Sequence, residues 1–366
     1  MRVRSHLTER PVPDIAALIR ATTPKNMLGV LQTIVALPLR ALTWLGSQGT
    51  RGVAAIVFIA AAVPPLGALL RPYLTEAILC LLCISFMRVD LAALYSHLRR
   101  PALVATATVW TTIGVPLVVG LIAHATGLTA RAPALSLALI LQSMASPMMA
   151  SPALAALMGL DATIVLITLV TSTALVPFTA SLFAGIFLGD MLSITPLTLG
   201  LKLLGILAAS LLAATAIRWI FGAEAIQHHK KPIDGLNIII LFMFAAAIMG
   251  DVVTDLLAQP LFTIGLAALS FAIYFTLLAV TTLLFRRVGT ERALALGLMV
   301  SQRNLGLMLA ATAGALPPTP WLYFAMTQFP IHLAPYMLMP IAWRLTARAG
   351  GSGAAVASSR TEGVRS

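Results

Sequence analysis

The chain has 366 residues, 59% of them hydrophobic and 10% charged, with a mean hydropathy of +0.96. Soluble domains are about half apolar and a quarter charged, so this composition excludes a soluble globular protein, a disordered chain, a nucleic-acid-binding domain and a disulfide scaffold. The 24 Lys and Arg against 12 Asp and Glu give a net charge of +12, which in so apolar a chain reads as cytoplasmic loops under the positive-inside bias, with no nucleic-acid partner.

Residues 1–25 are polar and Arg-bearing, without the apolar core and small-residue cleavage site of a secretory signal. Residues 26–46 are apolar enough to touch lipid but carry Pro38 and Arg40. They read as an amphipathic helix on the inner face of the membrane, making residues 1–52 a cytoplasmic extension. A helical span needs about 20 mostly apolar residues. Ten runs approach that length: 53–70, 72–87, 101–123, 134–158, 162–188, 195–217, 236–257, 260–285, 293–315 and 319–343. They are continuous and not alternating, which favours helices over barrel strands.

Cys80 and Cys83 lie inside the second run with no second Cys pair or nearby His, so they read as packing residues and not as a redox or metal motif. Residues 90–100 place Leu91, Leu94 and Leu98 on one face ahead of Arg99 and Arg100, the pattern of a second interfacial helix. Residues 344–366, with Gly350-Gly351-Ser352-Gly353, read as a disordered cytoplasmic tail.

Position tests the charge reading. With the N-terminus inside, 20 of the 24 basic residues fall in cytoplasmic segments, and only Arg71 and Arg131 fall outside. Lys202 and Arg303 lie within spans, while Asp190, Asp251 and Asp255 mark the outer side. The sequence therefore predicts an all-α multi-pass protein of the inner (plasma) membrane with both termini cytoplasmic. Ten spans divide into 53–188 and 195–343. Because five is odd, the second half enters from the opposite side, the inverted-repeat topology of secondary transporters.

In such proteins the site lies at mid-membrane on broken helices in matching positions of the two halves. Span 4 carries Gln142-Ser143-Met144-Ala145-Ser146-Pro147-Met148-Met149-Ala150-Ser151-Pro152. Pro147 and Pro152 each remove a backbone donor and disfavour helix at the residue before. The bland alternative is a kinked packing helix. Span 9 carries Ser301-Gln302-Arg303-Asn304 at its centre. An arginine there costs about 2.5–3.5 kcal/mol on insertion scales, so it needs an anion, a carboxylate or carbonyls beside it. No Asp or Glu lies mid-span; Glu76 is nearest to that description. A transported anion fits the gap, the alternative being an Arg bonded only to broken-helix carbonyls.

Several of these residues carry a resemblance. Ala150-Ser151, Asp161, Thr171-Ser172-Thr173 and Pro177, followed by Asn304 and Gly306 in span 9, are similar to motifs of the bile acid:sodium symporter family. This is the bile/arsenite/riboflavin-type superfamily of ten-helix carriers, of which the chain resembles a divergent bacterial-type member over residues 52–343. The resemblance implies a panel domain and a core domain, with spans 4 and 9 unwound and crossing at the substrate site. It also implies sodium sites, and there the chain departs. Pro152 stands where the family has Asn, Leu298-Met299-Val300 lacks the family's Glu, and Arg303 replaces Gln.

A sodium site wants several oxygen ligands and usually a negative charge. Arg303 instead supplies a fixed cation, and sodium coupling of the family's kind is doubtful. Ser151, Thr173, Gln302 and Asn304 remain as neutral ion ligands, with Na⁺ or H⁺ as coupling ions and no cofactor or metal site.

Among the rest, His332, Gln328 and Thr327 read as hydrogen-bonded structural groups before gating ones, and Trp219, Trp321 and Trp343 as interfacial anchors. The leading expectation is a secondary carrier of a small organic anion held by Arg303, Asn304, Gln302, Ser301, Ser146 and Ser151 between Pro147 and Pro152. A channel-like or sensory ligand binder is the alternative. A membrane enzyme lacks support, since no HExxH motif or mid-membrane carboxylate pair is present. Oligomeric state is not encoded in any motif.

Overall fold

The computed structural model describes residues 38–47, 59–60, 62–88, 101–312 and 316–362. Most of the N-terminal extension and the interfacial helix expected over residues 90–100 lie outside the described residues.

Lipid offers no partners to backbone N–H and C=O groups, so an apolar chain satisfies them internally as helix. The described residues are all-α, and their single β-bridge belongs to no strand. The principal helices are α1 (Pro64–Leu70), α2 (Leu74–Arg88), α3 (Pro101–Val109), α4 (Val115–Ala125), α5 (Pro133–Met144), α6 (Ser151–Leu157) and α7 (Ala162–Phe187). They continue with α8 (Pro196–His228), α9 (Lys230–Met249), α10 (Pro260–Leu284), α11 (Thr290–Ser301), α12 (Leu305–Ala311) and α13 (Pro318–Glu362). Starts follow sequence signals. Pro133, Pro196 and Pro260 open their helices, where a missing N–H costs nothing. Asp161 caps α7 through Ile164 N (3.1 Å), and Thr195 caps α8 through Thr198 N (3.2 Å).

Six stretches of the described residues are long and apolar enough to cross a bilayer: Pro64–Arg88, Pro101–Ala125, Ala162–Phe187, Pro196–His228, Lys230–Ala258 and Pro260–Leu284. The chain is therefore an all-α membrane protein. The runs expected over 134–158 and 293–315 are not among the six because each is split into two shorter helices.

Three boundaries differ from expectation. The first two runs are joined by no more than a 3₁₀ turn at Arg71–Tyr73, so that Pro64–Arg88 forms one continuous apolar helical stretch in place of two separate ones. The segment after Arg218 is helical to His228, broken at Gly222, whose φ of 78° a residue with a Cβ rarely adopts. Helix α13 continues to Glu362 through the segment expected to be an unstructured tail.

Pairings along α9 show how the N-terminal elements lie. A Cβ on Gly46 would collide with Lys231 O, near the start of α9. Gly67 packs against Gly250, and Arg71 pairs with Asp251, both at its far end. Arg88 then pairs with Asp234 (2.6 Å), back at the start. Gly46 thus lies beside the start of α9 and Gly67 beside its far end, and the chain returns to the start along α2.

Two large apolar cores form among the described residues, beside two small clusters. One gathers α2, α5, the C-terminal half of α7 and α12; the other gathers α3, α6, the N-terminal half of α7 and α11. Met149, in the interruption between α5 and α6, packs against both. The cores meet where the helices break.

Candidate functional site

Helix α5 ends at Met144, Ala145 is extended (φ −62°, ψ 146°), and α6 begins at Ser151. Pro147 lies inside this interruption. Pro152 does not, for it occupies the first turn of α6 and starts that helix. In the second break α11 ends at Ser301, Gln302 is extended (φ −91°, ψ 97°), and the Asn304 side chain caps α12 by accepting from Leu307 N (3.2 Å). Each break leaves backbone groups without helical partners, and each supplies the other's. Met148 N donates to Gln302 O (2.8 Å) and Asn304 N to Ser146 O (2.7 Å), with Pro147 opposite Arg303 in an antiparallel bridge.

The side chains extend the junction. Ser151 Oγ donates to Gln302 Oε1 (3.1 Å), and Gln302 Nε2 donates to Ile331 O on α13 (3.3 Å). Ile331 O is four residues before Pro335, which has no N–H to offer it. The same logic recurs at Met326 O, four residues before Pro330, which accepts from Ser270 Oγ (3.3 Å). Ser301 and Ser143 turn back onto their own helices, bonding Leu298 O (2.9 Å) and Ile140 O (2.7 Å). Ser146 Oγ is buried without a partner, and Tyr274 lies beside Ser301 and Gln302 without hydrogen-bond geometry to either.

Arg303 is 1% exposed, and the three ion pairs among the described residues (Arg71–Asp251, Arg88–Asp234 and Arg292–Asp161) leave it out. Its Nη1 donates to Ala145 O (2.9 Å) and Thr111 O (3.3 Å), while Nε and Nη2 are buried without partners. Of the three guanidinium nitrogens, one is engaged by carbonyls and two are not. Glu76 is exposed in the first turn of α2, and Lys202 is exposed on α8.

The other sequence candidates separate. Ser151, Gln302 and Asn304 come together at the junction. Thr173 is buried on α7 with its hydroxyl unpartnered, and no hydrogen bond joins it to them. Asp161 is a helix cap paired with Arg292 (3.1 Å), and Thr171 bonds Thr108 (2.8 Å). Their roles here are structural. His332 Nδ1 lies 2.8 Å from Gln328 O, the structural bond expected of it.

A cavity of about 170 Å³ borders the junction, lined in part by Arg303, Asn304, Gly306, Gln328 and His332. Met148, Ala150, Asn237, Ile331 and His332 also line a second cavity of about 280 Å³ that reaches Arg88 and Asp234. At the opposite end Arg71 bonds Asp251 and stacks over Trp321, 4.7 Å from the ring centroid. The second cavity thus extends toward the Asp234 end of α9.

Neither protein-family models nor curated proteins match the chain. The chemistry of the site is that of a buried, partly engaged cation beside a mostly apolar cavity. Sequence reasoning missed Thr111 and its neighbour Pro116 in α4. The signal was a proline inside an apolar run, since each such proline marks a carbonyl four or five residues upstream that needs an outside donor.

Proposed function

We propose that this protein is a secondary transporter of a small organic anion, a divergent member of the bile acid:sodium symporter family working by alternating access. The observation that carries the reading is Arg303, a buried cation with no carboxylate beside it among the described residues and two donors unengaged, at the junction of two broken helices. Irregular backbone at membrane depth is tolerated only where it is packed in protein or borders a cavity, and here it borders one.

The ten-span, inverted-repeat topology is part of the proposal. The six long apolar stretches, the two broken helices, the placement of Gly46 and Gly67 at opposite ends of α9 and the start of α13 together support ten crossings. The passage toward Arg88 and Asp234 is then the open side of one access state. Arg303 Nη1, held between two carbonyls, takes the place a coupling cation would have, so transport runs without the family's sodium dependence.

Reconstituted vesicles offer the test. Uptake of a small organic anion, insensitive to removal of sodium and lost in Arg303→Ala, is the expected result. Uptake that needs sodium, or survives Arg303→Ala unchanged, would defeat the reading. A channel-like or sensory binder would show no accumulation against a gradient.

A further inference from the structure

Arg303 meets its surroundings through a single nitrogen, and the reason is local. Residues Trp110–Gly114 form a π-turn between α3 and α4, in which Val115 N–H reaches back five residues to Trp110 O. Two N–H groups stand in helical register to serve Thr111 O, those of residues 115 and 116. The first is committed to Trp110 O, and residue 116 is proline. Thr111 O is thereby left to an outside donor, and Arg303 Nη1 fills it while also holding Ala145 O at the broken end of α5.

That engagement fixes which edge of the guanidinium remains. Nε and Nη2 form its side-on edge, two parallel N–H groups spaced to match the two oxygens of a carboxylate. In Arg303 these are the two nitrogens without partners, in a residue that lines the cavity at the junction. A single buried positive charge with no acid beside it among the described residues matches a monoanion. A phosphate monoester, at about −1.5 to −2 near neutral pH, would bring excess negative charge.

The geometry points to a carboxylate-binding site on the Nε/Nη2 edge of Arg303, with Pro116 as the positioning residue that frees Thr111 O to hold the opposite side. The inference rests on the anion-carrier reading and specifies the head group that reading leaves open. Arg303→Lys keeps the charge but loses the fork. Pro116→Ala supplies an N–H that competes for Thr111 O and releases Nη1.

The test is thermal unfolding of the full chain in detergent with potassium benzoate, benzamide, methylphosphonate or potassium chloride at matched ionic strength. Benzoate is expected to raise the melting temperature saturably, with no effect from benzamide or chloride. Arg303→Lys should lose that response. Pro116→Ala should raise the half-saturating benzoate concentration by about tenfold, the loss expected from misplacing one charged hydrogen bond, without lowering the ligand-free melting temperature.

Stabilisation by methylphosphonate alone would overturn the carboxylate assignment. A wild-type response from Arg303→Lys would overturn the site, and an unchanged half-saturation in Pro116→Ala would overturn the positioning role. Benzoate binding by a protein that moves no anion into vesicles would preserve the site and remove the transporter, so the two failures are distinguishable.

Discussion

Pro147 and Arg303 stand opposite each other in a single antiparallel bridge, the only β-type pairing among the described residues. It exists because two helices fail at the same place. Isolated in lipid, either break would leave N–H and C=O groups unpaired at several kcal/mol each. Placed together, Met148 N and Asn304 N find Gln302 O and Ser146 O. The breaks are mutually conditional, and this is what holds Arg303, Gln302 and Asn304 at one point between the two cores.

Gln302 is the most informative residue for stability. It accepts from Ser151 and donates to Ile331 O, the carbonyl that Pro335 cannot serve. Gln302→Ala should destabilise the protein by about 1–3 kcal/mol through the groups left unsatisfied. Pro335→Ala should recover part of that loss, because residue 335 then supplies an N–H to Ile331 O. A double-mutant cycle in denaturant unfolding reads the coupling directly. Strict additivity would show that the Gln302–Ile331 bond contributes nothing.

Packing of α1 on α9 depends on a glycine pair. A Cβ on Gly67 would meet Gly250 Cα and Ala246 O at distances real Cβ atoms do not adopt, with backbone as the obstacle. Gly67→Ala should therefore cost about 1–3 kcal/mol by overpacking. Gly205, on an exposed face of α8 where an added Cβ would meet nothing within 4 Å, is the control. Gly205→Ala should be neutral or stabilising by up to about 1 kcal/mol. Equal effects at the two positions in thermal unfolding would refute the close-approach argument.

Two ion pairs tie the turn before α2 and the end of α2 to opposite ends of α9. Arg88 and Asp234 approach to 2.6 Å with side chains 36% and 28% exposed. Arg71 and Asp251 are more exposed still. Partial solvation limits each pair to about 0.2–1 kcal/mol. A cycle built from Arg88→Gln and Asp234→Asn should return a coupling in that range, larger than the Arg71–Asp251 coupling and reduced by salt. The reverse order would place the solvent-screened end of the α2–α9 pair at Arg88.

Much of this architecture was readable in the sequence, for definite reasons. The interruptions in the fourth and ninth runs were visible because Pro147 and an intramembrane arginine violate helical and lipid preferences locally. The mutual pairing of the breaks was not visible, because it joins residues far apart in the chain and uses backbone atoms that sequence does not distinguish. Pro152 misled, since a proline breaks a helix or begins one depending on what precedes it. The Thr111 carbonyl was hidden for a related reason: Pro116 announces an orphan acceptor, but nothing local names its donor. Beyond Arg218, the helical segment to His228 carries polar residues that read as loop, although solvated helix ends carry the same composition.

Orientation is the remaining decisive matter, and α9 is the helix on which to settle it. Arg88, Arg218, His228, His229, Lys230 and Lys231 gather near its Asp234 end, whereas Arg71 is the basic residue paired at its Asp251 end. Basic residues near span ends are retained on the cytoplasmic side, so the Asp234 end, and with it the mouth of the cavity, should face the cytoplasm. Cysteine labelling tests this in a background with Cys80 and Cys83 replaced by Ala. His229 and Gln259 are both exposed and lie beyond opposite ends of the Lys230–Ala258 stretch. A membrane-impermeant maleimide should label Gln259→Cys in intact cells, and His229→Cys only after permeabilisation. The opposite pattern would turn the cavity mouth outward, and labelling of both from one side would mean that α9 does not cross.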